Sequence, residues 1–121
     1  MSNQNIETVA LALKQAEILR SAIPPIRTQL GGDQADVDAA YAVQETNTQN
    51  ALAQGRRLVG RKIGLTSKVV QTQLGVDQPD CGMLFADMAF GDGEAIPANL
   101  LIQPKVEAEI ALVIKHDLNK A

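Results

Sequence analysis

A chain of 121 residues is long enough for one domain with its own core, and 45% hydrophobic with 21% charged residues is the balance of an ordinary soluble protein. Fourteen acidic against 11 basic residues give a net charge of -3, and no basic patch is interleaved with aromatic rings, which argues against nucleic acid as a partner. The single cysteine, Cys81, excludes an intramolecular disulfide and fits a reducing compartment. No signal-peptide pattern opens the chain and no apolar run is long enough to cross a bilayer, so a cytoplasmic protein is expected.

Only Tyr41, Phe85 and Phe90 are aromatic, so packing must rest on Leu, Ile, Val and Ala. Between residues 6 and 21, Ile6, Val9, Ala10, Leu13 and Ala16 recur at helical spacing on one stripe, and Pro24-Pro25 ends the run because proline cannot continue a helix. Gly31-Gly32-Asp33 predicts a turn, with Asp33 or Asp36 capping a second helix that reaches about residue 54. Val37, Ala40, Tyr41, Gln44, Thr48, Ala51 and Leu52 recur along it at three and four, and Gly55 is the stop. Such a hairpin serves packing. The expected division is therefore a helical segment over residues 1–56 and a β-rich unit over residues 57–121.

Residues 57–64 predict a short strand with glycines at 60 and 64, where a ligand or another backbone approaches closely. Thr66 or Ser67 starts a short helix over residues 68–74, closed by Gly75. Asp77-Gln-Pro-Asp80 and Gly82 predict a loop, residues 83–90 an extended apolar segment, and Gly91-Asp-Gly93 a turn. Cys81 reads as a small buried hydrophobe, since no companion base is present to make it a nucleophile.

Two sets of residues carry candidate chemistry. The β-branched run over residues 102–114 predicts a strand, and its alternation puts Glu107 and Glu109 on one face with Ala111 and Val113. Two carboxylates side by side repel one another unless a cation joins them, and a hard divalent ion such as Mg2+ or Mn2+ takes oxygen ligands; the alternative is an acidic stripe facing water. On the predicted strand over residues 57–64, Lys62 shares a face with Gly60 and Gly64, away from Arg61. A lysine with that free space can bind a substrate carboxylate or exchange protons; the alternative is a surface lysine.

The segments Gly60-Arg-Lys-Ile-Gly-Leu-Thr66, Gln73-Leu-Gly-Val-Asp-Gln-Pro-Asp80, Leu84-Phe-Ala-Asp-Met88 and Gln103-Pro-Lys-Val-Glu-Ala-Glu-Ile-Ala111 resemble, in order, motifs of the hydratase–decarboxylase branch of the fumarylacetoacetate hydrolase superfamily. Ala40-Tyr-Ala-Val-Gln44 and Ala53-Gln-Gly-Arg-Arg57 extend the resemblance over essentially the whole chain. It implies an α+β fold in which a helical hairpin precedes strands of a mixed β-barrel, with this chain as the amino-terminal part. It implies that Glu107 and Glu109 are two of three metal carboxylates, the third lying beyond residue 121, and that Lys62 and Asp80 are active-site proton-transfer residues. The related decarboxylases have an apolar residue where Asp80 stands, and Cys81 departs from the usual aromatic residue.

The function so implied is metal-dependent hydration of 2-hydroxypenta-2,4-dienoate, the dienol of 2-oxopent-4-enoate, to 4-hydroxy-2-oxopentanoate in the breakdown of aromatic compounds. A homo-oligomer, and association with a pathway enzyme, go with that expectation. Alternatives are decarboxylation of 2-oxohex-3-enedioate and a non-catalytic fragment or partner subunit. Carbon–carbon hydrolysis of an acylpyruvate would need a His–Glu pair that the sequence does not offer.

Overall fold

The computed structural model describes residues 3–31 and 36–117. Helix α1 spans Asn3–Leu19 and helix α2 spans Val37–Ala53. Their apolar stripes meet around Val9, Ala10, Ala39 and Val43, all at most 4% exposed, with Ile6 and Leu13 at the margin. Mostly small residues at this contact let the helix axes approach, and the Asn47 side-chain amide donates to the Ala10 carbonyl at 2.9 Å across the gap.

Between the helices a 3-10 turn at Ile26–Leu30, not anticipated from the sequence, follows Pro25 and drops Leu30 into the same core. Gly31 closes it with φ 105°, a backbone angle open to glycine and costly for other residues. Of the two acidic cap candidates, Asp36 is the cap: its carboxylate accepts from the backbone N–H groups of Asp38 and Ala39 at 3.0 and 3.2 Å. Gly32 and Asp33 lie outside the described residues.

Strand β1, Leu58–Gly64, pairs antiparallel with strand β2, Asp80–Phe85, and the short helix α3, Lys68–Leu74, connects them. The register sets Lys62 opposite Gly82 and Gly64 opposite Asp80, with an irregularity between Leu58 and Gly60. Helix α3 has the expected bounds and ends on Gly75 in the left-handed region, but Ser67 at its N-cap makes no side-chain cap bond.

Three expectations are corrected. Asp80, Cys81 and Gly82 belong to a strand and not to a loop, because their turn-prone composition is overridden by pairing with β1. Cys81 is exposed and not buried: it sits at the start of β2, while Phe85, four residues on along the same face, is the one that is covered. The run over residues 102–114 forms no ladder: Val106, Ile110 and Val113 are 99%, 92% and 97% exposed. A strand exists only through a partner's hydrogen bonds, and among the described residues the sheet has two strands, neither of which reaches this run. A closed mixed barrel is accordingly not present in the described residues, whose architecture is α+β with one two-stranded sheet.

Candidate active site

Alternation along the hairpin places Gly60, Lys62 and Gly64 of β1 on the same face as Asp80 and Gly82 of β2. The glycines shape what happens there. A Cβ added at Gly82 would lie 3.2 Å from Lys62 Cγ and 3.5 Å from Cδ, so the aliphatic stem of Lys62 runs over bare backbone. A Cβ added at Gly64 would collide with the Asp80 carboxylate and stand 3.3 Å from Lys62 Nζ. The carboxylate and the amine thus converge over the Gly64 backbone from the two strands. No ion pair within 4.0 Å joins them, which leaves both sets of polar atoms available to a third group.

Helix α2 holds this arrangement from the side. The backbone N–H of Cys81 donates to the Tyr41 hydroxyl at 3.0 Å, and the Gln44 amide donates to the Cys81 carbonyl at 3.0 Å. Residues three apart on a helix lie on one face, so Tyr41 and Gln44 grip the backbone of a single residue, Cys81, between the two residues, Asp80 and Gly82, that face Lys62. The sequence placed these two in a packing helix; the signal it offered was their occurrence in the Ala40-Tyr-Ala-Val-Gln44 motif.

A second clamp closes the far end of the hairpin. The Arg56 guanidinium donates to both oxygens of Asp87, at 2.7 and 2.8 Å, lies 3.6 Å from Glu17 of α1 and stacks 4.3 Å above the Phe85 ring. The hydrogen bonds from Arg56 hold the Asp87 carboxyl below its ordinary titration range, and the same bonds raise Arg56, against the opposing effect of its partial burial. One side chain, three residues past the end of α2, so ties α1 to the end of β2 and the turn after it.

A cleft of about 780 Å³ opens beside Asp80, between Leu30, Val37 and Tyr41 on one side and Val76 and Pro79 on the other. It reaches Asp80 but not Lys62. Glu107 and Glu109 lie apart from the hairpin in exposed extended chain. Their spacing puts both carboxylates on one side of an extended backbone, and two oxygen donors suit a hard divalent cation. Among the described residues no cluster of three potential metal ligands forms. Among the described residues, too, no helix is long and apolar enough to cross a membrane.

No family model matches the chain. Curated relatives do. It is 60% identical over 99% of its length to 2-keto-4-pentenoate hydratase 1 of Dechloromonas aromatica, and 63% identical over 81% of its length to the TodF product hydratase of Pseudomonas putida. The chain belongs to the 2-keto-4-pentenoate hydratase family. It spans 46% and 36% of those two relatives, less than half of either. Among solved structures, 4-oxalocrotonate decarboxylase from Pseudomonas putida G7, complexed with magnesium and adipate, superposes with a TM-score of 0.64 at 27% identity. That match covers 70% of this chain and 32% of the decarboxylase. A second structure of the decarboxylase, complexed with calcium and acetate, matches equally well.

Proposed function

We propose that this 2-keto-4-pentenoate hydratase family chain carries the proton-transfer half of a metal-dependent hydratase acting on 2-hydroxypenta-2,4-dienoate. The observation that carries the reading is the convergence of Lys62 and Asp80 over Gly64, a cation and a carboxylate brought to one point by the two strands. Hydration of this dienol needs a proton delivered to C5, a proton released from the 2-hydroxyl, water added at C4 and a proton delivered to C3. The product is 4-hydroxy-2-oxopentanoate. Asp80 and Lys62 are the groups that move these protons, and the Lys62 ammonium also neutralises negative charge that develops on the substrate.

Glu107 and Glu109 would hold Mg2+ or Mn2+, with further ligands from outside the described residues. When bound, the ion supplies Lewis-acid polarisation of the 2-oxo acid. In this reading the exposed run over residues 102–114 becomes a strand of a barrel, residues 1–56 and 57–121 are the helical and catalytic units, and the protein works as a cytoplasmic homo-oligomer. Magnesium in the decarboxylase structure supports a divalent metal.

The test follows the dienol's ultraviolet absorbance in the full-length protein with Mg2+ and with EDTA. Glu107→Gln should weaken Mg2+ binding by more than about tenfold and lower the rate with it; wild-type activity in that variant would refute the assignment. A second reading, decarboxylation of 2-oxohex-3-enedioate, is favoured by the structural match alone. Release of carbon dioxide from that substrate, with no loss of dienol absorbance, would select it.

A further inference from the structure

The turn that leaves β1 contains an unusual backbone. Leu65, directly after Gly64, has φ 54°, in the left-handed region that disfavours a residue with a branched side chain. The next residue is Thr66, so no glycine follows to absorb the bend. What holds it is a side chain: the amide of Gln71, on α3, donates to the Leu65 carbonyl. Gln71 is 3% exposed, one of two buried polar side chains among the described residues, and its own amide oxygen accepts from Lys68 Nζ at 3.1 Å. Its bonding also reaches the other side of the connection. The Gln71 backbone carbonyl accepts from the Val76 N–H at 2.9 Å, and Lys68 Nζ lies 3.5 Å from the Asp77 carbonyl, three residues ahead of Asp80.

We infer that Gln71 is a positioning residue that fixes the spacing of Lys62 and Asp80. Its buried side chain ties the exit of β1 at Leu65 to α3 and, through Lys68, to Asp77 on the approach to β2, while its backbone carbonyl separately holds Val76. Gly64 and Asp80 are the paired residues at this end of the hairpin, each one to four residues from those anchors. If the Leu65 carbonyl is released, the backbone relaxes toward the ordinary φ range, Gly64 turns with it, and the point where the carboxylate and the amine meet is lost. Gln71 touches neither group and acts through the backbone. This inference rests on the proposed function for its kinetic readout and on geometry alone for its spectroscopic one.

The test is a double-mutant cycle in the full-length protein. Gln71→Met keeps the volume and removes the donor. It should lower kcat for dienol hydration by roughly tenfold or more while KM moves less than about threefold. In a Leu65→Gly background the left-handed angle no longer needs a tether, so the same substitution should lower kcat by less than about threefold. Equal losses in both backgrounds, or no loss in either, would overturn the inference. Gln71→Glu is the second variant: it keeps the Lys68 contact and replaces the donor to Leu65 by an oxygen that repels the carbonyl, so it should follow the same pattern if Gln71→Met does not fold. Should the wild-type protein not hydrate the dienol, the proposed function fails, and the tether is judged by amide resonances. Those of Gly64 and Asp80 should move in Gln71→Met and return toward their parent positions when Leu65→Gly is present in both. Resonances that do not move would refute it.

Discussion

Substituting Gly64→Ala separates the candidate site from the fold that carries it. The backbone at Gly64 is not in the left-handed region, so alanine can adopt it, and loss of glycine's freedom in the unfolded chain favours folding by about 0.4–1 kcal/mol. The added methyl, however, falls on the Asp80 carboxylate, with Lys62 Nζ 3.3 Å away. Ordinary contact begins near 3.4 Å, so Asp80, whose side chain is too short to bend aside, must rotate its carboxylate away from the amine. A displacement of roughly 1 Å at a reacting group costs on the order of a hundredfold in rate, about 2.7 kcal/mol of barrier. The expected result in the full-length protein is kcat for dienol hydration down about a hundredfold with the thermal midpoint nearly unchanged. A folded variant with kcat within twofold of wild type would refute the convergence of Lys62 and Asp80 as the source of activity.

Two further expectations concern stability. Asp36→Ala removes the carboxylate that accepts from the first N–H groups of α2 and should cost about 1 kcal/mol, read as a lower urea midpoint at unchanged slope; an unchanged midpoint would show that the cap contributes nothing. Asp87 has its folded titration point depressed by Arg56, so its contribution is present above the ordinary carboxylate range and is lost as pH falls through the depressed value. Asp87→Asn should therefore be less stable than wild type near pH 6, the difference vanishing toward pH 2. Because the Asp87 side chain is 56% exposed, salt should shrink that difference as well, and a deficit independent of pH would place the effect elsewhere.

The parts of the fold that were legible in the sequence are those whose signal is local. The stripe through Val9 and Leu13, the Asp36 cap, and the α3 bounds between Ser67 and Gly75 follow from spacing and backbone preference, and the structure has them. The shared face of Gly60, Lys62 and Gly64 was legible for the same reason. Asp80 was legible only as a family resemblance. Its neighbours Asp77, Gln78 and Pro79 are turn formers, and a strand starting at Asp80 is set by pairing with a segment sixteen residues earlier, which no local pattern encodes. The exposure of Cys81 likewise depends on what does or does not cover a sheet face. Tyr41, Gln44, Gln71 and Arg56 act through specific side-chain hydrogen bonds between elements, and periodicity has nothing to say about those.

The grip of α2 on Cys81 has a consequence for how the sheet can grow. In an antiparallel pair the N–H and C=O of a given residue point to the same side, and at Cys81 both point away from β1 and are taken by Tyr41 and Gln44. An incoming strand that sought to add along β2 would have to displace two helix side chains at Cys81. The helix thus blunts one margin of the hairpin against adventitious strand addition and directs any enlargement of the sheet to the β1 side.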